Sequence, residues 1–207
     1  MSDVDVIRRI ERAPMRTVRT EHIGALLPNP SRTLMRLARI GAVTKLAHGF
    51  YTVPPGGADG REWRPPLEVG ALAMATARFG PRRAILIGDG AARHWHAIPR
   101  AIGSTTIAVE ARAVKPVELA TGGTARFVFR RLDAVDAVLG QTVLGDALIA
   151  TLAQTLFDLV TGDGHAQHAD AIADLSHRVT RREFEALLDA KRRVPAAAHE
   201  TLQRLAD

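Results

Sequence analysis

The glycine-rich stretch at residues 88–93 is the first place where nucleotide binding or catalysis could be built. It follows a short apolar run and opens a helical pattern, and Glu110 lies twenty residues beyond Gly90. That arrangement imitates a dinucleotide-binding fingerprint. However, Arg93 stands where the fingerprint needs a small residue, so that helix and strand can pack closely. A tight turn between a strand and a helix is therefore the preferred interpretation.

Two pairs of histidines raise the question of a metal site. His94 and His96 are two residues apart, so on a helix they point about 200° apart and only a strand would let them share an ion. A third ligand for this pair is not evident, and we expect His165 and His168 to line an exposed helix start. The chain has no cysteine, which excludes thiolate metal centres, disulfides and cysteine nucleophiles. We expect no metal and no resident cofactor.

Three arginines near residue 35 carry a different chemistry. At 3.6 residues per turn, Arg32, Arg36 and Arg39 fall within an arc of about 60°, and Leu34 and Leu37 lie on the opposite side. A helix that buries its leucines would therefore present all three guanidinium groups together. The planar guanidinium groups can donate paired hydrogen bonds to phosphate oxygens or to the O6 and N7 atoms of guanine. The alternative is a solvated arginine face without a ligand.

The distribution of charge agrees with a nucleic-acid contact in the N-terminal quarter. The net charge is +6; residues 1–55 contain nine basic and four acidic residues, whereas residues 56–207 contain nineteen and eighteen. This asymmetry indicates a DNA-binding module joined to a nearly neutral body. The N-terminus is not that of a secretory signal and no uncharged apolar stretch reaches the roughly 18–20 residues of a membrane helix. We expect a cytoplasmic protein that does not enter the membrane.

The elements that must position the arginines form a recognisable order. Helix signals occur at about 3–11, from Thr20 to Leu27, and from about Pro30 to Ile40; strand signals follow at 43–47 and 50–53, with His48-Gly49 as their turn. Helix, helix, turn, helix and hairpin is the order of a winged helix-turn-helix. The Pro- and Gly-rich stretch that follows predicts a linker. We therefore divide the chain into a winged helix at 1–55, a linker at 56–64 and an α/β domain at 65–207.

The second part predicts a small mixed sheet followed by a helical tail. A helix is expected from Pro66 to Phe79 and a short one from Asp89 to His96. Strands are expected at 84–87, 105–109 and 125–130, and the pattern turns helical from Gly145 onward, with further helices near 165–176, 180–193 and 196–206. The predicted fold class is α+β: a winged helix followed by a mixed α/β domain with a small sheet and a helical C-terminal part.

Residues 34–54 resemble the winged-helix half of AbiEi-type antitoxins, whose basic hairpin carries Gly-x-Tyr followed by Pro, here Gly49-Phe50-Tyr51 and Pro54. The second half is similar to that family as well, at 85–92, 107–109, 127–129 and 147–160. The chain resembles in particular the mycobacterial members of this family, which accompany nucleotidyltransferase-like toxins in a type IV-like toxin–antitoxin system. It covers most of the chain but rests on patterns rather than on catalytic residues.

The resemblance implies two partners, operator DNA and a cognate nucleotidyltransferase-like toxin. An antitoxin of this kind neutralises its toxin and represses its own operon. The family's DNA-binding face carries over to residues of the third helix and of the wing: Arg32, Thr33, Arg36, Arg39, Lys45 and His48.

Two other functions stay open from the sequence. One is a phosphotransferase, an atypical protein kinase that uses ATP to inactivate the toxin; its candidate groups are Asp89, His94 and His96, although no kinase signature accompanies them. The other is a transcriptional regulator without a toxin partner, whose second part senses a ligand. A toxin gene beside this one would argue against the regulator, and phosphate on the toxin would identify the kinase.

Overall fold

The computed structural model describes residues 2–24, 27–162, 165–191 and 193–205, and it is an α+β fold with two sheets. The helices are α1 (Asp3–Glu11), α2 (Thr20–Gly24), α3 (Pro30–Arg39), α4 (Leu67–Phe79), α5 (Gly88–His94), α6 (Leu152–Thr161), α7 (Ala169–Arg178), α8 (Arg181–Asp189) and α9 (Ala196–Arg204). The strands are β1 (Thr17–Arg19), β2 (Thr44–Ala47), β3 (Phe50–Thr52), β4 (Ala84–Ile87), β5 (Ser104–Val109), β6 (Val117–Glu118), β7 (Thr124–Phe129), β8 (Ala137–Thr142) and β9 (Gly145–Ala150). The predicted fold class is confirmed.

The N-terminal part is a three-helix unit with a small sheet. The three helices and the β2–β3 hairpin occur where the sequence predicts them, and the sheet order is β1-β3-β2. The sequence did not reveal β1, because three residues are too few to show an alternating pattern. This strand exists through its pairing with β3, in which Val18 lies opposite Tyr51. The predicted continuation of α2 to Leu27 is wrong, since Leu27 is not helical; residues 25 and 26 lie outside the described residues.

The body is a six-stranded sheet in the order β6-β7-β5-β4-β9-β8. β4 is central and all four of its residues are buried, in agreement with a short continuous apolar run. It pairs antiparallel with β5 and parallel with β9. Helix α4 packs against this sheet, and Gly90 brings the start of α5 close to Leu86 of β4.

The predicted helix from Gly145 onward is wrong at its beginning. Residues 137–150 form the β8–β9 hairpin, and α6 starts only at Leu152. Leu148, Ile149 and Leu152 have spacings that a helix also allows, so the apolar pattern did not separate the two structures. The distinguishing signal is Thr151, whose side chain accepts a hydrogen bond from the backbone of Gln154 and so marks the true N-cap.

The C-terminal helices form a layer with its own apolar core around Leu156, Leu175 and Phe184. Their local signals are regular: Thr180 and Glu183 form a capping box at the start of α8, and Pro195 precedes α9. The helices predicted near 165–176, 180–193 and 196–206 are confirmed in position: α7 begins and ends later than predicted, and α8 and α9 are shorter. The side chain of His165 lies outside the described residues.

The Pro- and Gly-rich segment after β3 is packed against the winged helix. The Gly60 amide donates to the Gly41 carbonyl (2.8 Å), and Thr44 Oγ1 donates to the Gly60 carbonyl (3.1 Å). A Cβ on Gly60 would lie only 2.7 Å from the Val43 carbonyl oxygen, so this close approach requires glycine. A freely flexible tether does not make such contacts.

One apolar core joins the two parts of the chain. Met15, Leu46 and Phe50 from the N-terminal part are buried in the same cluster as α4 and the central strands of the body. The Ala120 amide also donates to the Leu46 carbonyl at 2.7 Å. The division at 1–55, 56–64 and 65–207 stays a prediction, and this shared core argues against separate folding of its two sides.

Candidate nucleic-acid interface

Helix α3 is positioned by a cap at its start and by two leucines on its inner side. Asn29 Oδ1 accepts a hydrogen bond from the Arg32 amide at 3.1 Å, and Pro30 occupies the first turn. Leu34 and Leu37 are completely buried against the core of the winged helix. Since these anchors fix the rotation of the helix about its axis, the side that faces solvent is determined as well.

The solvent side of α3 carries the three predicted arginines. Arg32, Arg36 and Arg39 are all exposed, which is the orientation that the helical angles predict. Two apolar residues flank them: Met35 is 53% exposed and Ile40 at the C-cap is 57% exposed. The sequence-based set of DNA contacts did not include these two residues, although the same angles place them beside the arginines. Aliphatic groups at such positions contact the methyl group of thymine in DNA complexes.

Arg36 differs from the other two arginines because it already has an acidic partner. Its Nη1 donates to Asp3 Oδ2 at 2.8 Å, and its Nη2 forms a second, shorter contact with Oδ1. Both side chains are half exposed, at 49% and 43%. The Arg36 guanidinium lowers the pKa of Asp3, and Asp3 raises the pKa of Arg36 in return. Among the described residues, the guanidinium groups of Arg32 and Arg39 have no hydrogen-bond partner.

The wing is a tight hairpin beside α3. Lys45 and His48 are exposed and Thr33 is half-buried in the first turn of α3. The Gly49 carbonyl accepts from both the backbone amide and the hydroxyl of Thr20, at 2.8 and 3.1 Å, and Gly49 has a φ of 78°. The tip is therefore held by the body of the winged helix and reaches no further than its two turn residues.

The Gly-rich turn at α5 has a packing explanation. A Cβ on Gly90 would lie 2.1 Å from Thr105 Oγ1 and 2.7 Å from Leu86 Cδ1, so this glycine lets the helix approach two strands. Asp89, one of the candidate kinase groups, lies 3.2 Å from His168 Nε2. These contacts support the sequence interpretation of a tight strand-to-helix turn.

The other candidate catalytic groups lie at the end of α5. His94 packs edge-on against Trp95, and burial is the main cause of its lowered pKa, with a smaller contribution from His96. His96 is exposed and has a φ of 63°. Within the described parts of the chain, no three His, Asp or Glu side chains form a group that could hold a metal ion.

The three helices and the sheet order β1-β3-β2 define the N-terminal part as a winged helix, joined here to a mixed α/β body. The fold as a whole is similar to a crystal structure of the RV2827C protein from Mycobacterium tuberculosis, with a TM-score of 0.57 and 19% sequence identity. The match covers 97% of this chain and 74% of the other. No family model and no curated protein matches the chain. Within the described residues, no helix has the length and apolarity needed to cross a membrane.

Proposed function

We propose that this protein is a DNA-binding antitoxin, which represses its own operon and neutralises a nucleotidyltransferase-like toxin. The observation that carries the DNA-binding half is the solvent side of α3, where Arg32, Arg36 and Arg39 stand together on a winged helix. The N-terminal quarter of the chain also holds most of the net positive charge. In this proposal the solvent side of α3 therefore faces an anionic partner.

Each residue of the interface has a chemical role in this proposal. Arg32 and Arg39 are available to phosphates or guanine edges, and Thr33 at the helix start donates to a phosphate. Met35 and Ile40 provide the apolar contacts beside them. Lys45 and His48 contact the backbone of the neighbouring duplex segment from the short wing.

The antitoxin half rests on the resemblance of both halves of the chain to AbiEi-type antitoxins, and the fold similarity over 97% of the chain is compatible with it. The toxin-binding surface belongs to the α/β body in this proposal, because the winged helix is occupied by DNA. No described contact around Asp89 favours the phosphotransferase, since Asp89 pairs with His168 and His94 packs against Trp95.

DNA binding is tested with the full chain and its own upstream region, by fluorescence anisotropy. We expect Arg32→Ala/Arg36→Ala/Arg39→Ala to weaken binding by at least about 100-fold, and the wild-type affinity to fall steeply between about 50 and 200 mM salt. The matched control is Arg100→Ala/Arg181→Ala/Arg182→Ala, which removes the same charge from exposed positions of the body. Equal losses in the two triple variants would assign the effect to net charge and contradict the interface.

Toxin neutralisation is tested by co-expression with the product of the adjacent gene. We expect that product to arrest growth alone and growth to resume when this chain is present. The α3 triple variant should still restore growth from an independent promoter, since the body carries that role. If neither gene neighbour arrests growth, the antitoxin half is wrong while the DNA-binding half still stands. Phosphate transferred to the toxin from ATP would instead identify the phosphotransferase.

A further inference from the structure

The two edges of the body sheet are protected very differently. The edge strand β6 has only two residues, and Lys115, Pro116 and Glu118 lie in or directly before it. Short length, proline and charge are the devices that prevent an edge from pairing with another chain. The opposite edge strand, β8, has six residues from Ala137 to Thr142 and contains neither charge nor proline.

β8 also exposes apolar side chains. Within β8, Leu139 is 52% and Val138 is 41% exposed, and Val143 in the turn directly after the strand is 52% exposed. No backbone group of β8 hydrogen-bonds to a described residue outside its own hairpin with β9. A strand of this length on an open edge, without charge and with exposed apolar side chains, is a template for an additional strand.

An open cleft lies at the N-terminal end of the same strand. Its volume is about 770 Å³, and its walls include Val135, Ala137, Val138, Leu152 and Leu187. The exposed Val143 lies at the opposite end of the strand, in the turn to β9. The strand thus has a cleft of mixed lining at its start, where Asp133, Asp136, Glu183 and Lys191 lie among the apolar residues, and an exposed valine just beyond its end.

We propose that β8 pairs with β8 of a second copy of this chain, in an antiparallel arrangement about a two-fold axis. Antiparallel pairing places the end of one strand beside the start of the other. Val143 of each copy is therefore brought to the residues near Ala137 that line the other copy's cleft. The two sheets become continuous across the interface, and each open edge disappears.

Charge and symmetry favour an identical strand as the occupant. A two-fold axis brings like residues near each other, so an edge with charged residues would place equal charges in proximity. The uncharged β8 avoids this repulsion. Residues directly opposite each other in an antiparallel pair project from the same side of the sheet. Leu139 of one copy therefore lies beside residues of the other copy that project from the same side as its own Leu139. This proposal is independent of the DNA-binding proposal.

Sedimentation velocity on the full chain tests the pairing. We expect the wild type to change from monomer to dimer with rising concentration, between about 10 and 500 µM, because one strand pair buries less than a standard interface. Leu139→Lys and Leu139→Glu should each be monomeric over that range. The control Val4→Lys changes an aliphatic residue of similar exposure on α1 and should dimerise like the wild type.

A mixture of the two variants separates loss of pairing from loss of folding. Leu139→Lys and Leu139→Glu mixed in equal amounts should form a heterodimer, because opposite charges now face each other across the two-fold axis. A wild type that is monomeric at about 500 µM overturns the proposal. It is also overturned if the single variants dimerise as the wild type does, or if the mixture stays monomeric.

Discussion

The winged helix and the body each contain an ion pair between an arginine and an aspartate, and the two pairs differ in how far they are buried. In the winged helix, Arg36 and Asp3 are both half exposed. In the body, Asp158 is 4% exposed and accepts from Arg130 Nη1 at 2.8 Å. The exposed pair is exchangeable, since water can replace either partner and a phosphate can replace Asp3 beside Arg36, whereas the buried carboxylate depends on its arginine. Burial rather than residue type thus separates an exchangeable ion pair from a structural one.

The buried pair belongs to a hydrogen-bond network that joins three parts of the body. Gln154 Nε2 donates to Asp158 at 3.0 Å, and Lys191 donates to Gln154 Oε1 at 2.6 Å. Lys191 also donates to the Ala134 carbonyl. Burial lowers the pKa of Lys191, although Asp158 opposes that shift. The network holds α6 to the residues that lead into β8 and to the end of α8.

The largest expected loss of stability tests whether the winged helix and the body unfold as one unit. Leu46 is completely buried, in the core that joins the winged helix to the body. Leu46→Ala should lower the free energy of unfolding by about 2–5 kcal/mol, because it leaves a cavity there. Circular dichroism and tryptophan fluorescence, followed together in urea, should shift as one transition. Two separate transitions, with only one displaced, would show that the regions fold independently.

The next effect compares the two ion pairs directly. Asp158→Ala should lower the free energy of unfolding by about 2–4 kcal/mol; the loss stays below that of a fully buried pair because Arg130 is partly exposed. The control is Asp174→Ala, which removes the exposed partner of Arg178 and should cost at most about 1 kcal/mol. Urea unfolding of both variants measures the difference, and equal losses would contradict the role of burial.

Single substitutions on α3 give an intermediate effect on DNA affinity. Arg32→Ala and Arg39→Ala should each weaken binding to the operon's upstream region by about 10-fold or more. Arg36→Ala should cost less, because Arg36 must first leave Asp3. Anisotropy titrations at constant salt measure all three. A larger loss for Arg36 than for the other two would show that its pair with Asp3 orients it for the DNA contact.

The smallest effect concerns Asp3 and pH. Asp3→Asn should strengthen DNA binding by a few-fold, about 2- to 5-fold, because it frees Arg36 and removes a carboxylate near phosphates. In the free protein the Asp3 pKa is lowered, first by the hydrogen bond from Arg36. If Arg36 leaves Asp3 to contact DNA, the pKa of Asp3 rises in the complex. The complex then binds more protons than the free protein, so the DNA affinity of the wild type increases as pH falls toward 4.

The asparagine variant provides the control for this pH dependence. Titrations between pH 6 and pH 4 should give a shallower slope for Asp3→Asn than for the wild type. Parallel curves would mean that Asp3 keeps Arg36 in the complex. For folding the sign is the ordinary one for a lowered carboxyl pKa: the stabilisation by Asp3 is present above its unfolded pKa and is lost as pH falls through the folded pKa.

Local signals in the sequence were sufficient for much of the fold. The three N-terminal helices, the hairpin turn at His48-Gly49 and the strand before Gly88 all occur where predicted. The β8–β9 hairpin could not be separated from a helix, because its apolar residues fit both periods and only the cap at Thr151 differs. For the candidate interface, the angles on α3 are enough to orient the arginines, and the same angles place the exposed Met35 and Ile40 beside them.

The sequence by itself determined which side of α3 faces solvent, since helix periodicity and two leucines fix that orientation wherever the helix lies. Only the tertiary structure decided that, among the described residues, Arg36 has an acidic partner while Arg32 and Arg39 have none, because Asp3 is 33 residues away from Arg36 along the chain. It likewise decided that Leu46 anchors the winged helix to the body, and that β8 rather than β6 is the open edge. Such facts depend on contacts between distant segments, and no local pattern of residues encodes which segments will meet.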